Sequence, residues 1–169
     1  HYMIIGENGI VEHAAFWEVT VNPALESEPD SDEHLSRAFL SLLEDAVDLH
    51  LRSDVPVGTC LSGGLDSSTL TVLINRALHR SSPGKEPQRQ NTFSACFEDK
   101  RCDESTYIDI VVESTGVRSH RVYPAADAIW ADIERLLYIN DEPFAALTLY
   151  SQYCVMRLAR DEVKVVLDG

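Results

Sequence analysis

Positive charge is what this sequence has least of. Its 169 residues hold 14 Lys and Arg against 28 Asp and Glu, a formal charge of −14. Nucleic-acid grooves and anionic membrane surfaces need clustered Lys and Arg, so neither is the expected partner. An anionic ligand must instead be met by backbone N–H groups, a few local cations and a metal ion. Cysteine is sparse as well. Cys60, Cys96, Cys102 and Cys154 stand apart without a C-x-x-C pair, and the histidines are equally dispersed. No zinc-type cluster is expected from them. The cysteines read as reduced, mostly buried and in a cytoplasmic setting. No apolar run reaches the length of a membrane span, and no signal peptide is legible. Two phosphate-binding signatures are also missing. There is no G-x-x-x-x-G-K-[ST] and no G-x-G-x-x-G.

What is present is a chain with a 44 % apolar content, enough for one domain with a core. Met3, Ile4 and Ile5, then Ile10 and Val11, flank Gly6-Glu7-Asn8-Gly9 and predict a short hairpin. Residues 22–30, with Pro23, Pro29 and several acids, read as a linker. Asp30 and Glu33 have the spacing of a capping box. Leu35, Phe39, Leu42, Leu43, Ala46 and Val47 follow at helical spacing, which predicts a helix to about residue 51.

Beyond this point strands and helices alternate. Strands are predicted at 55–61, 92–97, 118–122 and 164–167. Helices are predicted at 67–79, 105–114, 125–138 and 147–160. Residues 81–90 read as a polar loop, and Asp103 as the cap of the helix that follows it. The expected fold class is α/β, a doubly wound parallel sheet with helices on both faces. Such sheets bind ligands at the carboxyl ends of their strands.

One of those ends reads Leu61-Ser62-Gly63-Gly64-Leu65-Asp66-Ser67-Ser68. A strand that ends in Ser-Gly-Gly and feeds a helix forms an anion cradle. Glycine lets the backbone approach a phosphate, and the helix start offers free N–H groups and a positive dipole end. Asp66 places a carboxylate in that cradle. Beside a polyphosphate it needs a bridging divalent cation, which points to Mg²⁺. The plainer reading keeps Asp66, Ser67 and Ser68 as ordinary first-turn helix residues.

The 62–68 segment resembles the pyrophosphate loop of the N-type ATP pyrophosphatases, which split ATP into AMP and pyrophosphate to adenylate an acyl oxygen. Further segments resemble one branch of that group, the glutamine-hydrolysing asparagine synthetases. They are Phe93-Ser94-Ala95-Cys96-Phe97 followed by Asp103-Glu104-Ser105, the turn Asp141-Glu142-Pro143-Phe144, the strand Val163-Lys164-Val165-Val166-Leu167-Asp168-Gly169, and Ala15-Phe16-Trp17. The resemblance implies an adenine nucleotide alpha hydrolase-like fold. It implies that residues 1–30 are the junction from a glutaminase domain missing here. Residues 31–169 would form the ATP-pyrophosphatase domain, incomplete where the family continues into Gly-x-Asp-Glu.

It also implies site roles. Leu61 and Ala95 would contact adenine, and Asp168 and Gly169 would lie near the ribose or α-phosphate. Ser62, Gly63, Gly64, Leu65, Ser67 and Ser68 would hold pyrophosphate, with Asp66 on its Mg²⁺. No catalytic residue is expected within these residues. The implied reaction adenylates the side-chain carboxylate of aspartate, and ammonia from glutamine then gives asparagine. A homodimer is a further expectation. The alternatives are a related amidotransferase or β-lactam synthetase with another acyl substrate, or a non-catalytic nucleotide-binding domain.

Overall fold

A computed structural model describes residues 1–20, 32–81, 89–144, 146 and 148–169. It divides into two compact units, His1–Phe39 and Leu40–Gly169. In the first unit, β1 (Tyr2–Gly6) pairs antiparallel with β2 (Gly9–Ala14), as the hairpin pattern predicts. Gly9 turns the chain at φ +110°, a conformation open to glycine. Helix α1 (Asp32–His50) begins in this unit, where Arg37 and Glu33 form an i,i+4 ion pair. The expected linker at 22–30, with the capping-box candidate Asp30, lies outside the described residues.

The second unit carries β3 (Val57–Cys60), α2 (Leu65–Arg80), β4 (Asn91–Ala95), α3 (Ser105–Thr115), β5 (Arg118–Val122), α4 (Ile129–Asn140), α5 (Thr148–Ala159) and β6 (Val165–Leu167). The four strands form one sheet in the order β5-β4-β3-β6, every pair parallel. Strand alternation sorts the core into two layers. On β6, Leu167 joins Leu73, Ile74 and Ala77 of α2 and Val47 of α1. Its neighbour Val166 joins Phe93 of β4 and Val155 and Ala159 of α5. Leu61 and Cys96 pack with Ile108 and Val111 of α3. Ile129 and Leu136 of α4 pack with Tyr150 and Cys154 of α5. Helices α1, α2 and α3 thus meet one face, and α4 and α5 the other. Each fully buried Leu, Ile or Phe contributes about 1.5–3 kcal/mol.

Several boundaries differ from the sequence expectations for identifiable reasons. Strand β3 starts at Val57 because Pro56 has no N–H to donate; its carbonyl instead accepts from Lys164 N–H at 3.1 Å. Helix α2 starts two residues early, at Leu65, directly after Gly64. Helix α4 starts at Ile129, since residues 125–128 are wound into a tight turn closed by Ala128 N–H to Ala125 O, 3.2 Å. It ends at Asn140 with Asp141 in the left-handed region at φ 57°. Leu35, Phe39 and Leu42 of α1 are exposed, and only its later turns enter the core.

Candidate functional site

The chain runs β3, β4, β5 outward in one direction and then returns to place β6 on the other side of β3. The strand order therefore reverses between β3 and β6, and a crevice opens at their carboxyl ends. Leu61 leaves β3 fully inside it, 1 % exposed. Its N–H donates to Phe93 O at 2.9 Å, and its carbonyl accepts from the Ser94 hydroxyl at 2.6 Å. The exit of β3 is thereby fixed to β4.

The next three residues form a tight loop. Gly63 sits at φ +89°, and a Cβ there would lie 2.9 Å from Tyr107 Cβ and 3.2 Å from Glu104 O. Both the conformation and the space require glycine. Gly64 is the N-cap of α2 and supplies no side-chain hydrogen bond. The first-turn N–H groups of α2 thus lack a side-chain cap and suit an anion. Ser67 is buried and turns inward. Its Oγ lies 2.9 Å from Ser62 Oγ and accepts from Ser62 N–H at 3.2 Å. Ser62 Oγ also accepts from Gly64 N–H at 3.3 Å. These two hydroxyls brace the loop from within. Ser68 is half-buried and donates its N–H to Gly64 O at 3.1 Å, while Leu65 and Asp66 are exposed.

The remaining expected positions gather at the same edge. Ala95 ends β4, and Asp168 follows β6. A Cβ on Gly169 would lie 3.0 Å from the Asp66 carbonyl carbon and 3.1 Å from Ser67 N, so residue 169 rests on the first turn of α2. Leu61, Ser62, Ala95 and Asp168 line one cavity of about 420 Å³. Glu104 and Asp168 are the charged side chains in its wall. Lys100 and Arg101, on the connection after β4, are exposed and paired with Asp103 and Asp99.

Sequence reasoning missed the far wall. Thr148, Ser151, Gln152 and Val155 of α5 face this cavity at spacings of three, four and seven residues. The available signal was the helical spacing of the polar residues Thr148, Ser151 and Gln152. Cys60 also borders the cavity, and burial, reinforced by the Asp168 carboxylate, pushes its thiol up to about 11. It remains a protonated thiol at neutral pH. The expectation that Asp103 caps α3 is not met. The N-cap is Glu104, without a side-chain bond, and the Asp103 carboxylate turns back toward Phe97 and Ser105.

Among the described residues no group of three or more His, Cys, Asp or Glu is placed to hold a metal ion. Mg²⁺ rarely needs such a cage: one or two carboxylates with substrate phosphates and water usually hold it. Exposed Asp66, on the first turn beside the glycine loop, fits that pattern. No helix among the described residues is long and apolar enough to cross a membrane.

Fold and loop together define an α/β domain with a glycine-bearing strand–loop–helix at the switch point of a parallel sheet. Residues 38–169 match the family model described as asparagine synthase, and the chain belongs to that family. It is 41 % identical over 128 residues to a putative glutamine-hydrolysing asparagine synthetase 2 of Methanocaldococcus jannaschii, covering 76 % of this chain and 23 % of that protein. A putative glutamine-hydrolysing asparagine synthetase of Mycobacterium bovis is 35 % identical over 143 residues, 83 % of this chain and 20 % of that protein. The amidase chyE of Penicillium rubens is 26 % identical over 176 residues, 100 % of this chain and 26 % of that protein. The chain thus spans about a fifth to a quarter of the length of these relatives.

Proposed function

We propose that residues 31–169 form the ATP-binding part of a synthetase that makes an amide by adenylating a carboxylate, with residues 1–30 joining it to a glutaminase domain. The observation that carries this reading is the loop at Gly63. Glycine is enforced there by conformation and by space, the helix behind it lacks a side-chain cap, and an open cavity adjoins it.

ATP lies with its adenine against Leu61 and Ala95 and its pyrophosphate on the loop 62–68. The side-chain carboxylate of aspartate attacks the α-phosphorus; the new O–P bond forms as the bond to pyrophosphate breaks. Charge then grows on the leaving pyrophosphate. The fixed N–H groups of the loop and first turn stabilise that charge without reorganising. Asp66 would hold Mg²⁺, and the ion would supply neutralisation of phosphate charge beside a cavity whose own wall is acidic. Asp168 and Gly169 border the ribose and α-phosphate. Ammonia from glutamine then attacks the acyl carbon, releasing AMP and leaving asparagine.

A second reading has the same adenylation with another acyl substrate. It is supported by the amidase-named relatives, whose match extends over 100 % of this chain. The test is ATP–pyrophosphate exchange by the full-length chain with Mg²⁺ and a panel of carboxylic acids. Exchange stimulated by aspartate is the expected result. Stimulation by a different acid transfers the assignment to the second reading. No exchange with any acid overturns both.

A further inference from the structure

The connection between β4 and α3 serves the site from two directions. Phe97, at its start, and Glu104, at its end, both line the cavity. Glu104 also opens α3. Its carbonyl oxygen, with Tyr107 Cβ and Ile108 N, stands 2.9–3.3 Å from where a Gly63 Cβ would be. The first turn of α3 is therefore the surface on which the glycine loop rests. That turn has no cap of its own, since Glu104 makes no side-chain cap bond.

What closes the connection is Asp103. Its Oδ1 accepts from Phe97 N–H at 3.2 Å and from the Ser105 hydroxyl at 2.6 Å. Its Oδ2 accepts from the Lys100 ammonium at 2.9 Å. The Asp103 side chain is 4 % exposed, whereas Lys100 is 85 % exposed. The Ser105 hydroxyl, then Lys100 and the Phe97 N–H, hold this carboxyl well below the usual carboxylate range.

We propose that Asp103 is a positioning residue for the phosphate loop: by tying Phe97 to Ser105 it seats the first turn of α3 against Gly63. Asp103 does not line the cavity, yet Phe97 and Glu104, which it spaces, both do. The proposal rests on the reading of residues 62–68 as the pyrophosphate site. It assigns the inner pair of bonds, to Phe97 and Ser105, as the working ones. The Lys100 pair is exposed on one side and adds little.

Four variants of the full-length chain test this. Asp103→Ala removes all three bonds. Asp103→Asn keeps an oxygen for Phe97 and Ser105 and gives up Lys100. Lys100→Met removes the outer pair alone, and Ser105→Ala removes the shortest inner bond. Amide hydrogen exchange is read without nucleotide over residues 62–68 and 97–108, beside kcat and KM for ATP–pyrophosphate exchange. Asp103→Ala is expected to speed hydrogen exchange in both segments. It should lower kcat on the order of 10²-fold, the usual effect of an ångström-scale misplacement, with a smaller rise in KM. Asp103→Asn and Lys100→Met should stay near the parent.

Deprotection confined to 97–108, with kcat unchanged, overturns the proposal, as does an Asn variant as impaired as Ala. If Asp103→Ala does not fold, Ser105→Ala must show the same pattern at smaller amplitude, and a parent-like Ser105→Ala overturns it. Hydrogen exchange needs no substrate. An inactive parent would therefore count against the functional reading, while the two segments still judge the link from Asp103 to the loop.

Discussion

Gly63 is the residue on which the site depends most directly. At φ +89° an alanine would be strained by about 1–2 kcal/mol, and its Cβ would press on Tyr107 and the Glu104 carbonyl. Gly63→Ala is expected to lower ATP–pyrophosphate exchange on the order of 10²-fold by displacing the loop N–H groups. A crystal structure or hydrogen exchange of the variant should locate the change at 62–68. Cys60 gives a pH-dependent counterpart. Its folded pKa is raised to about 11, above the unfolded thiol value of about 8.5. Below about pH 8.5 its contribution to stability is complete, and it is lost as pH rises toward about 11 because the unfolded chain ionises first. Thermal melts between those values should show the decline, and Cys60→Ser should flatten it. At neutral pH, alkylation should reach exposed Cys102 well before Cys60.

At the scale of elements, β3 is the strand with least room. Gly58 has ordinary dihedrals for a strand, yet a Cβ on it would lie 2.6 Å from Phe93 Cε2 and 3.2 Å from Asn91 O. Gly58→Ala is expected to cost about 1–3 kcal/mol through overpacking between β3 and β4. Denaturant melts measure this directly. A neutral result would mean that Phe93 can turn aside. Nothing in the sequence marked Gly58, because the clash arises from Phe93, 35 positions away and on another strand. The legible parts were local. Leu70, Leu73, Ile74, Ala77 and Leu78 recur at helical spacing and form the packed face of α2, and Gly116 ends α3 in the left-handed region as a glycine after a helix should. Asp103 was misread for a physical reason. A carboxylate before a helix can cap it or can turn back into the loop, and only the positions of Phe97 and Lys100 decide between the two.

On the scale of the whole molecule, the sheet order makes the site. Because β6 returns beside β3, Asp168 and Gly169 reach the start of α2, and the helices on one face leave α5 to wall the cavity. Nucleotide should therefore stabilise the second unit as a body, not the loop alone. ATP with Mg²⁺ at about 100 times its dissociation constant adds about 2.7 kcal/mol to the state that binds it. The expected result is a clear rise in Tm with ATP and Mg²⁺ together, a smaller one with ATP and EDTA, and loss of the Mg²⁺ increment in Asp66→Ala. An equal rise with and without Mg²⁺ would remove Asp66 from the metal role.

The amino-acid order by itself determined the alternation of strands and helices, the glycine loop with its adjacent carboxylate, and the acidic balance of the chain. These depend on neighbours within a few residues, where spacing and backbone preference suffice. The tertiary structure alone decided that Ser62 and Ser67 brace the loop from inside, that Thr148, Ser151 and Gln152 face the cavity, and that Asp103 closes a loop instead of capping a helix. Each of those depends on which distant segment lies opposite. Strand order and helix packing fix that, and local preference carries no information about it.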